Sequence, residues 1–100
     1  MPQNTIRYKK HRVFALKKIG FGVIVCVRCG CNDERLLEVN HKNGGGSQEH
    51  KKSIYSNFIH AIAVGRRKTE DLEILCRPCN AIHYLEKKYG KLPLRVIFNP

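Results

Sequence analysis

Four of the five cysteines fall into two matched pairs, Cys26-Val-Arg-Cys29 and Cys76-Arg-Pro-Cys79. Two residues between thiolates let a tight turn aim both sulfurs at one ion, while turn amides hydrogen-bond the sulfurs. Two such pairs complete a tetrahedral tetrathiolate set with no open position. That is the arrangement of structural zinc, so its expected chemistry is support of the fold and not turnover. A lone C-x-x-C would leave a redox dithiol open. Two matched pairs, an odd total and no secretory h-region in residues 1–18 argue instead for metal-bound thiolates in a reducing, cytoplasmic compartment. Cys31 could replace Cys29, but the C-x2-C spacing favours Cys29 and leaves Cys31 as a free thiol nearby.

The elements around the pairs can be read from pattern. Residues 5–19 read as a basic helix with a partial apolar stripe (Ile6, Val13, Phe14, Leu16), ended by Gly20 and Gly22. Residues 21–27 are β-rich and read as a short strand entering Cys26, and residues 36–41 read as a second strand. Residues 43–48 carry Gly44, Gly45 and Gly46, a loop. Ser53 can cap a helix whose Ile54, Tyr55, Phe58, Ile59 and Ile62 fall at core-facing spacing, with Gly65 as its stop. Residues 72–75 read as a strand. Pro78 precedes a helix over 79–89, with Ala81, Ile82, Leu85 and Tyr89 inward and Gly90 as its end. Residues 94–98 read as a last strand or an extended tail.

At 100 residues the chain forms one domain, small enough to need a staple such as a metal. It contains no apolar run long enough for a membrane span. Its 19 Lys and Arg against 8 Asp and Glu give a net charge of +11, which favours a polyanionic partner, above all nucleic acid.

The order Cys-x2-Cys, Leu36-Leu-Glu-Val-Asn40-His41, a Gly-rich loop and Leu75-Cys-Arg-Pro-Cys-Asn80 resembles the HNH endonucleases, ββα-metal nucleases supported by zinc knuckles. The resemblance covers about residues 26–88. The Asn directly after the second knuckle is also similar to the phage endonuclease VII group. The resemblance implies a small α+β domain: a zinc-stabilised ββα-metal unit at 21–90, preceded by a basic helix or arm at 1–20 and followed by a tail at 91–100. An extra helix lies between its strands, and the whole forms one compact domain. It implies a metal-dependent endodeoxyribonuclease that hydrolyses DNA phosphodiester bonds by nicking or double-strand cleavage, working as a monomer or homodimer. The alternatives are a nucleic-acid-binding zinc-knuckle protein whose nuclease site has decayed, and a branched-DNA-selective nuclease.

Phosphodiester hydrolysis needs a base to activate water and a cation to stabilise the pentacoordinate phosphate. The resemblance makes His41 the general base and has Asn40 and Asn80 contact a divalent Mg²⁺ or Mn²⁺. His83 lies three residues beyond Asn80 on the same helix face. As a ligand it would make Zn²⁺ or Ni²⁺ plausible as the catalytic ion. The chain departs from the family pattern at Asn40, where Asp or His is usual, and at Asp71, which stands where an Asn would orient the base. Glu38, on the same strand face as Asn40, reads as an ordinary solvent-facing strand residue that could also supply the missing carboxylate. His50, after the Gly-rich loop, reads as a phosphate contact, a third ligand or an ordinary loop residue. His60 falls on the polar side of its helix and His11 in the basic arm. DNA phosphates would be met by Lys9, Lys10, Arg12, Lys17, Lys18, Lys51, Lys52, Arg66, Arg67 and Lys68, with low sequence specificity because no helix carries a base-reading set.

Overall fold

The computed structural model describes residues 2–44, 49 and 55–100. Helix α1 (Pro2–Ile19) begins on a proline, which suits a first-turn position whose N–H is unpaired in any case. Its core-facing side is Arg12, Ala15, Leu16 and Ile19, an i, i+3, i+4, i+7 stripe. Of the expected stripe, Leu16 is in the core, while Val13 is half-buried and Phe14 is exposed. The helix closes with Gly20 and Gly22 amides donating to the Leu16 and Lys17 carbonyls, both at 2.9 Å. A Cβ at residue 20 would stand 1.9 Å from the Val23 carbonyl oxygen, so only glycine fits.

The strand expected over 21–27 does not form. Phe21 and Gly22 turn with left-handed φ values of 51° and 91°. Beyond them the backbone groups serve the cysteine turn: the Cys26 amide donates to the Cys31 carbonyl and the Gly30 amide to Cys26. One bond, from the Val27 amide to the Ile74 carbonyl at 3.0 Å, ties this segment to the sheet.

After a 3₁₀ turn (Glu34–Leu36) capped by Asp33, strand β1 (Leu37–His41) pairs antiparallel with β2 (Leu72–Cys76). The register sets Leu37 opposite Cys76 and His41 opposite Leu72. The cysteine end and the histidine end of β1 are therefore about 13 Å apart at ~3.3 Å per residue. Alternation gives Glu38 and Asn40 one face of β1, and Leu37, Val39 and His41 the other. Helix α2 (Tyr55–Ala63) lies between the strands in sequence and packs against α1, burying Phe58, Ile59 and Ile62. Burial of each such side chain stabilises by about 1.5–3 kcal/mol. Ser53 and Ile54 lie outside the described residues.

Helix α3 (Arg77–Tyr89) follows β2 with no connecting loop, since Cys76 ends the strand and caps the helix. It packs on the two strands through Cys79 and Ile82. Ala81, Leu85 and Tyr89, expected inward, are exposed, since among the described residues no second layer covers that side. The tail after Gly90 forms no strand. The Leu92 amide donates to Glu86, and Val96 and Phe98 pack against the core. The basic N-terminal helix likewise contributes Ala15, Leu16 and Ile19 to that same core. Among the described residues, three helices and a two-stranded sheet make one α+β unit, and no helix is long and apolar enough to cross a membrane.

Candidate metal centre and sheet-end cluster

Cys26 and Cys29 come from the turn after α1, and Cys76 and Cys79 from the β2–α3 junction. Their sulfurs all lie within 4.8 Å of one another. The Cys29 and Cys76 sulfurs stand 3.6 Å apart. A tetrahedral ion with Zn–S bonds of 2.3 Å has sulfur–sulfur edges of about 3.8 Å, so the spacing fits one zinc-sized ion. Cys31 is buried in the core outside this set, as the spacing implied. Burial pushes the Cys26 thiol up, but amides of Cys29, Cys76 and Arg28 outweigh it and bring the group down to about 7. Burial and neighbouring sulfurs push Cys76 and Cys79 the other way. Four sulfurs this close cannot all ionise without a cation, which makes the donor set chemically suited to a divalent metal.

The opposite end of β1 carries a different cluster. His41 is nearly buried and its ring stacks on Phe58 of α2, with centroids 5.4 Å apart at 21°. His41 Nε2 lies 2.7 Å from Glu49 Oε1. Arg67 grips Glu49 through Nε and Nη2, both at 2.9 Å, and Asp71 through Nη1 at 2.7 Å and Nη2 at 2.9 Å. Its guanidinium also rests over Phe58, 5.6 Å from the ring centre. The Arg67 hydrogen bonds, against a smaller effect of burial, hold the Glu49 carboxyl at about 2, with His41 helping. Asp71 is lowered by the same guanidinium. An ionised carboxylate only accepts, so Nε2 of His41 is the donor to Glu49. The carboxylate that fixes the imidazole is thus Glu49. Asp71, expected in that role, acts through Arg67 instead.

The second face of β1 meets α3. Asn80 Nδ2 donates to Glu38 Oε1 at 3.0 Å, and Arg77 Nε donates to Glu38 Oε2 at 3.2 Å. Asn40, two residues along the same face, donates to Glu73 Oε2 at 2.8 Å from its cross-strand partner. Asn40 and Asn80 therefore share one face, each held by a separate glutamate. His83 is half-buried one turn beyond Asn80. Among the described residues, the cysteines form the one group of three or more Cys, His, Asp or Glu ligand atoms close enough to hold an ion. The expected ligands thus come to one face of the sheet without converging through such atoms.

Two arginines expected to face DNA are turned inward. Arg12 donates to the Glu34 and Leu37 carbonyls, and Arg67 is held as above. Lys9, Lys10, Lys17, Lys18, Arg66 and Lys68 are exposed, while His50, Lys51 and Lys52 lie outside the described residues. The sequence reading missed Glu49 and Glu73. Glu49 is the one acidic residue between Glu38 and Glu70 in a basic stretch, and Glu73 sits two residues after Asp71 on a strand. Those were the available signals. Comparison with protein-family models, curated proteins and solved structures returned no match.

Proposed function

We propose that the protein is a metal-dependent endonuclease of the HNH type that hydrolyses DNA with low sequence specificity. The observation that carries the reading is the β1–β2–α3 unit. Asn40 and Asn80 share its α3 face, and an imidazole fixed by a carboxylate ends the same strand from the opposite face. In this reading His41 Nδ1 takes the proton from the attacking water, and Glu49 keeps the imidazole in that tautomer and stabilises its charged form. Asn40 and Asn80, with Glu38 and Glu73 beside them, would hold a Mg²⁺ or Mn²⁺ ion, and His83 would favour a softer one. When bound, the ion supplies charge stabilisation to the phosphate. The cysteine cluster, with its zinc, holds the base of α3 on the sheet. The exposed lysines and Arg66 supply the phosphate contacts.

A second reading, a nucleic-acid-binding module without catalysis, is favoured by the engagement of both amides: Asn40 is spent on Glu73 and Asn80 on Glu38. Zinc-loaded protein is incubated with supercoiled plasmid and Mg²⁺, Mn²⁺ or Ni²⁺, beside His41→Ala. Nicking that falls at least a hundredfold in the variant is the expected outcome. Equal background in both, with retained DNA binding, would leave the binding module. Branched and linear duplexes in the same assay test for junction preference.

A further inference from the structure

His11 on α1 and His60 on α2 face each other across the interface that joins the two helices. Their Nδ1 atoms are 3.3 Å apart and the rings meet edge to face, with centroids 4.5 Å apart at 62°. Both residues are half-buried. Neither belongs to the cysteine cluster or to the His41 cluster. The sequence pattern assigned them to a basic arm and to a polar helix face, and the fold brings them together.

The separation has a chemical meaning. Two imidazole nitrogens bound to one tetrahedral ion at 2.0–2.1 Å lie about 3.3–3.4 Å apart. A depression of about 530 Å³, lined by Lys10, His11, Phe14, Ala63 and Val64, opens beside the pair. It leaves room for water to complete a coordination shell. Among the described residues no carboxylate lines this depression. Two imidazole nitrogens without a carboxylate favour borderline ions such as Zn²⁺ over hard cations such as Mg²⁺.

We propose that His11 and His60 form a second metal site, a two-histidine clamp for Zn²⁺ or a similar borderline ion, which pins α1 to α2. A bound ion fixes the two helices that make the largest helix–helix contact of the fold. Occupancy therefore couples to stability through mass action. The competing account of the same distance is a single N–H···N hydrogen bond between neutral rings, which needs no ion.

Co²⁺ serves as the probe. It accepts the same ligands as zinc but binds more weakly, so it leaves zinc in the cysteine site. Protein loaded with one zinc equivalent is titrated with Co²⁺ up to one further equivalent, and ¹H–¹⁵N spectra are followed. The expected result is paramagnetic broadening centred on His11, Phe14, His60, Ala63 and Val64, with a rise in melting temperature. His11→Gln and His60→Gln should each weaken the Co²⁺ binding that broadens these signals at least tenfold. No broadening at His11 and His60, or unchanged affinity there in both glutamine variants, would overturn the clamp. The parent spectra decide the question even if a variant fails to fold.

Discussion

The two ends of strand β1 hold polar clusters built in opposite ways. At the Leu37 end, four identical side chains arrive in two pairs of fixed spacing, one from each of two turns. At the His41 end, unlike residues converge from separate parts of the chain: His41 from the strand, Glu49 from the segment before α2, Phe58 from α2, and Arg67 and Asp71 from the turn before β2. The first cluster has a spacing that metal geometry dictates. The second has none, because an imidazole, a carboxylate and a guanidinium can meet at any sequence separation once the fold closes. A centre whose geometry is imposed by an ion leaves its mark in the sequence, whereas one whose geometry is imposed by packing leaves almost none.

Removing the ion breaks the first end. A structural zinc contributes on the order of 10 kcal/mol of apparent folding free energy, which exceeds what a domain of this size can lose. Chelation, or Cys76→Ser, should abolish the cooperative melt in circular dichroism. A chain that keeps its transition after complete zinc removal would show that the cysteines are not the staple. At the other end, Arg67→Ala leaves two carboxylates beside His41 without their common partner and strips the cover from Phe58. Urea denaturation should register a loss of about 3 kcal/mol with zinc still bound.

Glu49→Gln should cost about 2 kcal/mol at neutral pH, allowing for the partial exposure of the carboxylate. The sign of its pH dependence follows from the shift. The folded carboxyl sits at about 2, below its ordinary 4.5, so its contribution is complete above pH 4.5 and is lost as pH falls toward 2. The gap between parent and variant should therefore narrow over that window. A gap that stayed constant there would place the stabilisation elsewhere. The smallest effect belongs to Cys31→Ala, at about 1 kcal/mol from lost core packing, with the zinc content of the cysteine site unchanged. Loss of zinc in that variant would move Cys31 into the ligand set.

Much of the fold was readable for the reasons that separate the two clusters. The apolar periods of α2 and the alternation of β1 and β2 announce themselves locally, and Gly90 marks the end of α3. The strand expected over 21–27 does not form because backbone groups there close the turns at Gly20 and Cys26, a demand that propensity does not register. Of the inward face assigned to α3 only Ile82 is buried, because helical spacing states which residues share a side, not whether another layer covers them. Arg12 and Arg67 looked like any other basic residues. Only the fold shows that their guanidinium groups reach carbonyls and carboxylates of their own chain.

The junction at Cys76 has a consequence for how this chain can vary in length. Strand, helix cap and sulfur donor coincide in that one residue, so no connecting segment exists to absorb an added residue. One insertion between Cys76 and Cys79 would rotate the rest of α3 by about 100° about its axis. Asn80 would leave Glu38, Ile82 would leave the core, and the second cysteine pair would lose its spacing in the same event. Length changes should be absent from this point of the chain and confined to stretches where no element begins as another ends.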